Sequence, residues 1–171
     1  MKNKIVIHSD RFIIRILEEN DVTEKYLDWL SDSEAKKYIV AAKKKNDLVS
    51  LRSYVRKNFE SNSTYFFGIF DKNNKFHIGN IKYDEIDLRL GYAKMGILIG
   101  DPEYRGKGVA VEVLLKTMEW ILEQGIRTVF LGVDENNKNA IGAYEKAGFV
   151  FFRDEYPDYL SRSAKYMYRK L

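Results

Sequence analysis

The residues best suited to chemistry lie in the run Gly100-Asp101-Pro102-Glu103-Tyr104-Arg105-Gly106-Lys107-Gly108-Val109-Ala110, between an apolar strand and a long amphipathic helix. Gly106 and Gly108 let the backbone turn tightly and approach a ligand closely. The first turn of the following helix has N–H groups with no intrahelical acceptor and carries the positive end of the helix dipole. Such an end binds phosphate, and Arg105 and Lys107 add positive charge beside it. The chemistry indicated is the holding of a pyrophosphate. A Walker loop needs Ser or Thr after Gly106-Lys107, where this chain has Gly108. A dinucleotide fingerprint needs a third glycine where Val111 stands, and an acid for the ribose about 20 residues on. A plain strand-to-helix turn with solvated basic side chains stays open on these residues alone.

A second segment follows, Leu131 to Phe149, carrying Asn137, Ala140, Ile141, Tyr144, Gly148 and Phe149. Together the two segments resemble the GNAT superfamily of N-acetyltransferases. Arg105-x-x-Gly108-x-Ala110 is similar to its Arg/Gln-x-x-Gly-x-Gly/Ala signature. Asn137-x-x-Ala140-Ile141, then Tyr144 and Gly148-Phe149, is similar to its second signature. The match is dense over residues 94–152, and the order of elements extends it along the chain.

The resemblance implies acetyl-CoA or another acyl-CoA as cosubstrate, and no metal. It implies that the backbone of Leu98, Ile99 and Gly100 pairs with the pantetheine arm. The loop amides of Arg105, Gly106, Lys107, Gly108, Val109 and Ala110 would cradle the pyrophosphate, and Asn137 would contact the cofactor. The strands carrying Ile97 and Val133 would part to admit the arm, and a backbone amide near Ile97 to Ile99 would meet an oxyanion. Tyr144 takes the position of the general acid. Its other reading is a core tyrosine on an amphipathic helix, in a chain with 12 tyrosines. Protein-modifying relatives often carry a glutamate as base beside the position of Val133, where this chain has Gly132. Asp84, Glu85, Asp87 and His77 are the candidate bases, with none preferred; a base acting through water stays open, and the other readings are a solvated turn for the three acids and a partnered strand residue for His77.

The acceptor is indicated by a looser likeness. Tyr26-Leu27-Asp28-Trp29-Leu30-Ser31-Asp32 is similar to a pattern in acyltransferases of bacterial surface-polysaccharide synthesis; its other reading is simply the first amphipathic helix, with Trp29 as packing. Those enzymes acylate amino sugars carried on a nucleotide diphosphate. The implied function is transfer of an acetyl or similar short acyl group to a primary amine, first of all that of a dTDP- or UDP-linked amino sugar. The partners implied are therefore acyl-CoA and a nucleotide sugar, with no nucleic acid and no membrane. A ribosomal-protein N-terminal amine is an alternative acceptor, since the Gly106 to Glu112 run also fits that branch, and a polyamine is another. A CoA-binding regulatory module is the non-enzymatic reading, against which Tyr144 argues. A homodimer stays open: Tyr156, Tyr159, Tyr166 and Tyr168 suit core, acceptor site or dimer surface equally.

These residues must be positioned by a fold that the chain can build. It has 171 residues with 45% hydrophobic and 32% charged, which fits one domain. There is no cysteine, which excludes disulfides, thiolate metal sites and a cysteine nucleophile. Only His8 and His77 offer imidazole. The net charge of +4 is dispersed and suits an anionic ligand. No apolar run approaches the roughly 20 residues of a membrane span, and Met1 to Lys4 opens without a leader pattern, so a cytoplasmic protein is expected.

Alternation over Arg11 to Leu17 predicts a strand. A helix is expected from Asn20-Asp21, a short second one ending near Tyr38, and a loop at Lys43 to Lys45. Asp47 is predicted to cap a third helix with Leu48, Leu51, Val55 and Phe59 on its apolar side. Strands are predicted over Tyr65 to Asp71, Phe76 to Tyr83 and Lys94 to Gly100, with a polar turn over Asp84 to Arg89 in which an extended part stays open. The Gly108 to Gln124 helix, the Thr128 to Val133 strand and the Lys138 to Ala147 helix follow. Strands over Phe149 to Arg153 and Ala164 to Arg169 close the pattern. The fold class is α/β, the GNAT fold: a mixed, mostly antiparallel sheet of about seven strands with helices on both faces.

Overall fold

The computed structural model describes residues 4–31, 47–152 and 165–171. The expected helix near Tyr38, the basic loop at Lys43 to Lys45, Asp32 of the acceptor pattern, and Tyr156 and Tyr159 lie outside them.

Strand β1 is Val6–His8 and β2 is Phe12–Ile16; helix α1 is Glu24–Ser31 and α2 is Leu48–Glu60. Then come β3 (Tyr65–Asp71), β4 (His77–Asp87), β5 (Tyr92–Ile99), α3 (Val109–Glu123), β6 (Thr128–Val133), α4 (Lys138–Lys146), β7 (Val150–Phe151) and β8 (Lys165–Lys170). They form one eight-stranded sheet in the order β1-β2-β3-β4-β5-β6-β8-β7. All pairs are antiparallel except β5 with β6.

The eighth strand is β1, which pairs Val6 with Arg15 through His8 with Ile13. Three residues are too few to show a period of two. Asn20-Asp21 does not begin α1 but lies in a turn of 3-10 helix, Glu19–Asp21. Asp21 is drawn there by Arg15, whose Nη1 donates to its carboxylate at 2.8 Å, and by the Glu18 amide, also at 2.8 Å. Thr23 takes the capping position instead, its hydroxyl accepting from Tyr26 N at 3.3 Å. Asp47 does cap α2, accepting from Ser50 N at 2.7 Å while Ser50 Oγ accepts from Asp47 N at 3.1 Å. The turn expected from Asp84 is largely strand: β4 runs on to Asp87 through a register irregularity, and β5 starts at Tyr92.

Each sheet face has its own helices. Neighbours along a strand point to opposite faces, and in β3 Phe66 and Phe67 belong to different apolar clusters. Phe67 joins Ile14, Ile81, Met95, Val113, Leu114 and Ile121 under α3 and α4. Phe66 joins Tyr26, Trp29, Leu30, Leu51 and Val55 under α1 and α2. Helix α3 is tied to the sheet by a polar pair inside the first cluster. Tyr83 Oη donates to Thr117 Oγ1 at 2.8 Å, and the Thr117 hydrogen goes on to Val113 O at 2.8 Å. Among the described residues no helix is long and apolar enough to cross a membrane.

Candidate active site

Among the described residues, the sheet opens at its one parallel pair, β5 with β6. The ladder between β5 and β6 joins Tyr92 to Thr128, Ala93 to Val129 and Lys94 to Phe130, and stops. Beyond it β5 stays paired with β4 as far as Ile99, and β6 with β8 as far as Val133. The two strands therefore part over Met95 to Ile99 and Leu131 to Val133, with neither losing its other partner. The parting expected around Ile97 and Val133 is present.

Strand parity decides which backbone groups face the gap. A residue in an antiparallel ladder sends its N–H and C=O to the same side, and its neighbours send theirs to the other. Gly100 N donates to Ile78 O at 3.0 Å, so Gly100 and, two residues earlier, Leu98 turn toward β4. Of Leu98, Ile99 and Gly100, only Ile99 presents its backbone to the gap, and Ile97 joins it. The Leu98 and Gly100 amides turn to β4, while Gly100 O accepts from Arg105.

The loop at the top of the gap is built by side chains as much as by glycines. Asp101 Oδ1 accepts from Glu103 N at 3.0 Å and starts a turn of 3-10 helix, Pro102–Tyr104. Arg105 folds back, its Nε donating to Ile99 O and its Nη2 to Gly100 O, each at 2.9 Å. Its guanidinium thus shapes the loop. Gly106 and Gly108 have φ of +71° and +74°, the left-handed region. A Cβ on Gly106 would meet nothing within 4 Å, and one on Gly108 only Arg11 Nη2 at 3.9 Å. The space beside the amides is open, and the start of α3 at Val109 and Ala110 faces it with the Lys107 side chain exposed nearby. This room fits a pyrophosphate. Asn137 caps α4, its Oδ1 accepting from Ala140 N at 3.2 Å.

Tyr144 lies on α4, the helix that leaves the open end of β6. It belongs to the cluster that holds Val133, against which Ile97 and Ile99 pack. Its ring lies 6.0 Å from that of Phe149. Burial pushes its hydroxyl up to about 12, so it stays protonated at neutral pH.

The candidate bases separate. Asp84 pairs with Lys82 at 2.6 Å and Glu85 with Lys94 at 2.9 Å. Asp87 accepts from Leu90 N at 2.8 Å in the turn. Asp84 and Glu85 are candidates in the sequence reading, but their lysine partners Lys82 and Lys94 are not. Leu98 packs into the α1–α2 cluster, so Gly96 and Lys94 share its face. Lys82 is the register partner of Gly96, and Asp84 of Lys94. Lys82 Nζ also donates to Tyr54 Oη at 3.0 Å. Burial works against the Lys82 charge, but Asp84 and Tyr54 outweigh it and hold its pKa above the usual lysine value. Lys94 is held up in the same way by Glu85. A Cβ on Gly96 would meet nothing within 4 Å, so the floor of this polar cluster is open beside the gap.

His77 lies apart from that cluster, among rings. It stacks on Phe70 at 4.9 Å and meets Trp29 at 5.0 Å and Tyr26 at 5.4 Å. Nε2 lies 2.8 Å from Asn80 Oδ1, which accepts, so Nε2 carries the proton. Burial lowers its pKa, opposed by the Asn80 contact and the charge of Asp21, with Arg15 adding to the lowering. An unfolded histidine titrates near 6.5. Between that value and the lower folded one, the unfolded chain binds more protons, so stability rises with pH there. The melting temperature is expected to fall as pH drops through about 6.5, and His77→Gln to flatten that limb. An unchanged slope in the variant would remove His77 as its source.

An acetyltransferase (GNAT) domain model matches residues 11–150, and the chain belongs to that family. YobR of Bacillus subtilis (strain 168), an uncharacterized N-acetyltransferase, is 32% identical over 84 residues, which are 49% of this chain and 32% of that protein. The chain spans about a third of the length of the curated relatives it matches. RimL, a ribosomal L7/L12 α-N-protein acetyltransferase solved with coenzyme A, superposes with a TM-score of 0.82 at 16% identity, covering 98% of both chains. A spermidine N-acetyltransferase from Vibrio cholerae, solved with CoA and spermine, gives 0.77 at 22% identity over 94% of this chain and 95% of that one. At these identities the likeness to the two structures is one of fold.

Proposed function

We propose that this chain is an acyl-CoA-dependent N-acyltransferase. The observation that carries the reading is the gap between β5 and β6, with a glycine loop at its top and Tyr144 on the helix leaving its far strand. Acyl-CoA, when bound, supplies a thioester carbon that an amine can attack. The amides of Gly106 to Ala110 bind the pyrophosphate, with Lys107 beside them. Ile97 offers the gap its N–H and C=O and Ile99 its N–H, the Ile99 carbonyl being held by Arg105, and one of these amides meets the developing oxyanion. Tyr144 holds a proton at its Oη and delivers it to the departing sulfur. Asn137 orients the start of α4.

The acceptor we propose is an amine on a nucleotide-linked sugar, dTDP- or UDP-bound. Supporting it is the mixed cluster of Tyr54, Lys82, Asp84 and Lys94 beside Gly96, whose phenol, ammonium and carboxylate groups suit sugar hydroxyls. A polyamine is less well served, since both carboxylates there, Asp84 and Glu85, are engaged by lysines. A protein N-terminus remains the second reading. Thiol release from acetyl-CoA and longer acyl-CoAs is to be measured with dTDP- and UDP-amino sugars, short peptides and polyamines. Turnover on the amino sugars is expected. Turnover on peptides alone would move the acceptor to protein, and no thiol release with any amine would overturn the acyltransferase reading.

A further inference from the structure

Helix α1 is fastened to the cofactor loop at two points that the motifs do not reveal. The Trp29 indole lies flat against Gly100: a Cβ there would come within 2.0 Å of Cδ2, 2.2 Å of Cε3 and 2.6 Å of Cγ. Glycine is required at position 100 by this close approach, with no positive φ involved. One turn earlier, Lys25 Nζ donates to Asp101 Oδ2 at 2.7 Å. Asp101 is itself buried, and its other oxygen starts the turn leading to Arg105. Gly100 N and Asp101 N both donate to Ile78 O at 3.0 Å. The two residues gripped by α1 are thus the ones where the chain leaves β5.

The grip is not explained as ordinary core packing. Among the described residues, the buried side-chain polar atoms without a hydrogen-bond partner are Trp29 Nε1 and His77 Nδ1, on rings 5.0 Å apart. An indole donor left unpaired is a burden for a residue whose task is packing. A phenylalanine or leucine would fill apolar space without it. What the wide bicyclic ring adds is a flat plate covering Gly100 while it touches Tyr26 and His77.

We propose that Trp29 and Lys25 are positioning residues for the glycine loop: α1 clasps Gly100 and Asp101 and so sets the path on which the amides of Gly106 to Ala110 meet the cofactor. This rests on the reading of that loop as the CoA site. The clasp couples α1, on the acceptor face of the sheet, to the loop that binds the donor.

The test is CoA binding by calorimetry to the full chain and its Trp29→Ala, Trp29→Phe and Lys25→Met variants, with melting temperatures taken without ligand. Lys25 is half exposed and Asp101 keeps its bond from Glu103 N, so Lys25→Met is expected to keep the fold even where Trp29→Ala does not, which the melting temperatures check. Affinity is expected to fall about 5-fold or more in Trp29→Ala and Lys25→Met, the scale of a typical coupling between sites. Trp29→Phe, which lacks the second ring that covers Gly100, is expected to recover only a small part of the loss. In turnover, KM for acyl-CoA should rise with little change in KM for the amine, a split that a general loss of stability would not produce. Undiminished CoA affinity in folded Lys25→Met and Trp29→Ala would overturn the clasp alone. Absence of CoA binding by the wild-type chain would overturn the loop's assignment, and the clasp with it.

Discussion

Tyr144→Phe is expected to lower turnover by about 10²-fold or more, the usual worth of a positioned proton donor, while CoA affinity stays close to wild type. The substitution removes one oxygen from a buried ring and keeps its packing against Phe149. The proton is held firmly: with its pKa pushed up to about 12 by burial, the phenol is protonated throughout the neutral range. The defect should therefore be flat between about pH 7 and 9, where a donor of ordinary histidine pKa would give a sloping one. A steady-state pH series on both proteins, with calorimetric CoA affinities, checks both points. Full activity in the variant would remove Tyr144 from the proposed mechanism.

Gly108→Val should have the largest effect on cofactor binding. Gly108 has φ of +74° and is the N-cap of α3. A β-branched residue at such a φ carries strain of about 1–3 kcal/mol, because its Cβ crowds the following carbonyl. For a chain of this length that corresponds to a fall in melting temperature of about 2–4 °C per kcal/mol. The strain is relieved by moving the backbone, and the amides that move are those facing the pyrophosphate. Gly108→Asn separates the two consequences. Asparagine tolerates the left-handed region and is a favoured N-cap, so its stability should stay near wild type. Its side chain still enters the open space beside the amides, and CoA should bind more weakly than to wild type but more tightly than to Gly108→Val. Thermal shifts with and without CoA read both quantities, since saturating ligand raises stability by about 2.7 kcal/mol at 100 times Kd. A Gly108→Val protein with the wild-type CoA shift would separate this glycine from the site.

Much of this molecule is written in local sequence. Tyr65–Asp71 and Thr128–Val133 have the bounds expected of them, because period-two and buried-strand patterns are properties of a few adjacent residues. Asp47 caps α2 as expected because a cap and its helix are three residues apart. The loop from Gly106 and the helix after it were legible for the same reason. The miss at Asn20-Asp21 has the opposite cause: Asp is a good cap, but Arg15 on the neighbouring strand holds its carboxylate in another turn. That competition comes from six residues back, just beyond the three-residue span on which a cap pattern is read.

The site divides along the same line. Sequence alone determined that a glycine loop precedes a helix, that Tyr144 follows on the next one, and that no glutamate stands at Gly132. Each is a matter of residue type and spacing along one segment. Tertiary structure alone decided that Leu98 and Gly100 face β4 while Ile97 and Ile99 face the gap, since parity depends on the register with a partner strand. It alone engaged Asp84 with Lys82 and Glu85 with Lys94, and gathered Tyr54 beside them. It also set Trp29 on Gly100, 71 positions along the chain. A steric contact of that kind leaves no local pattern, because the glycine it requires is explained only by the ring that arrives from elsewhere.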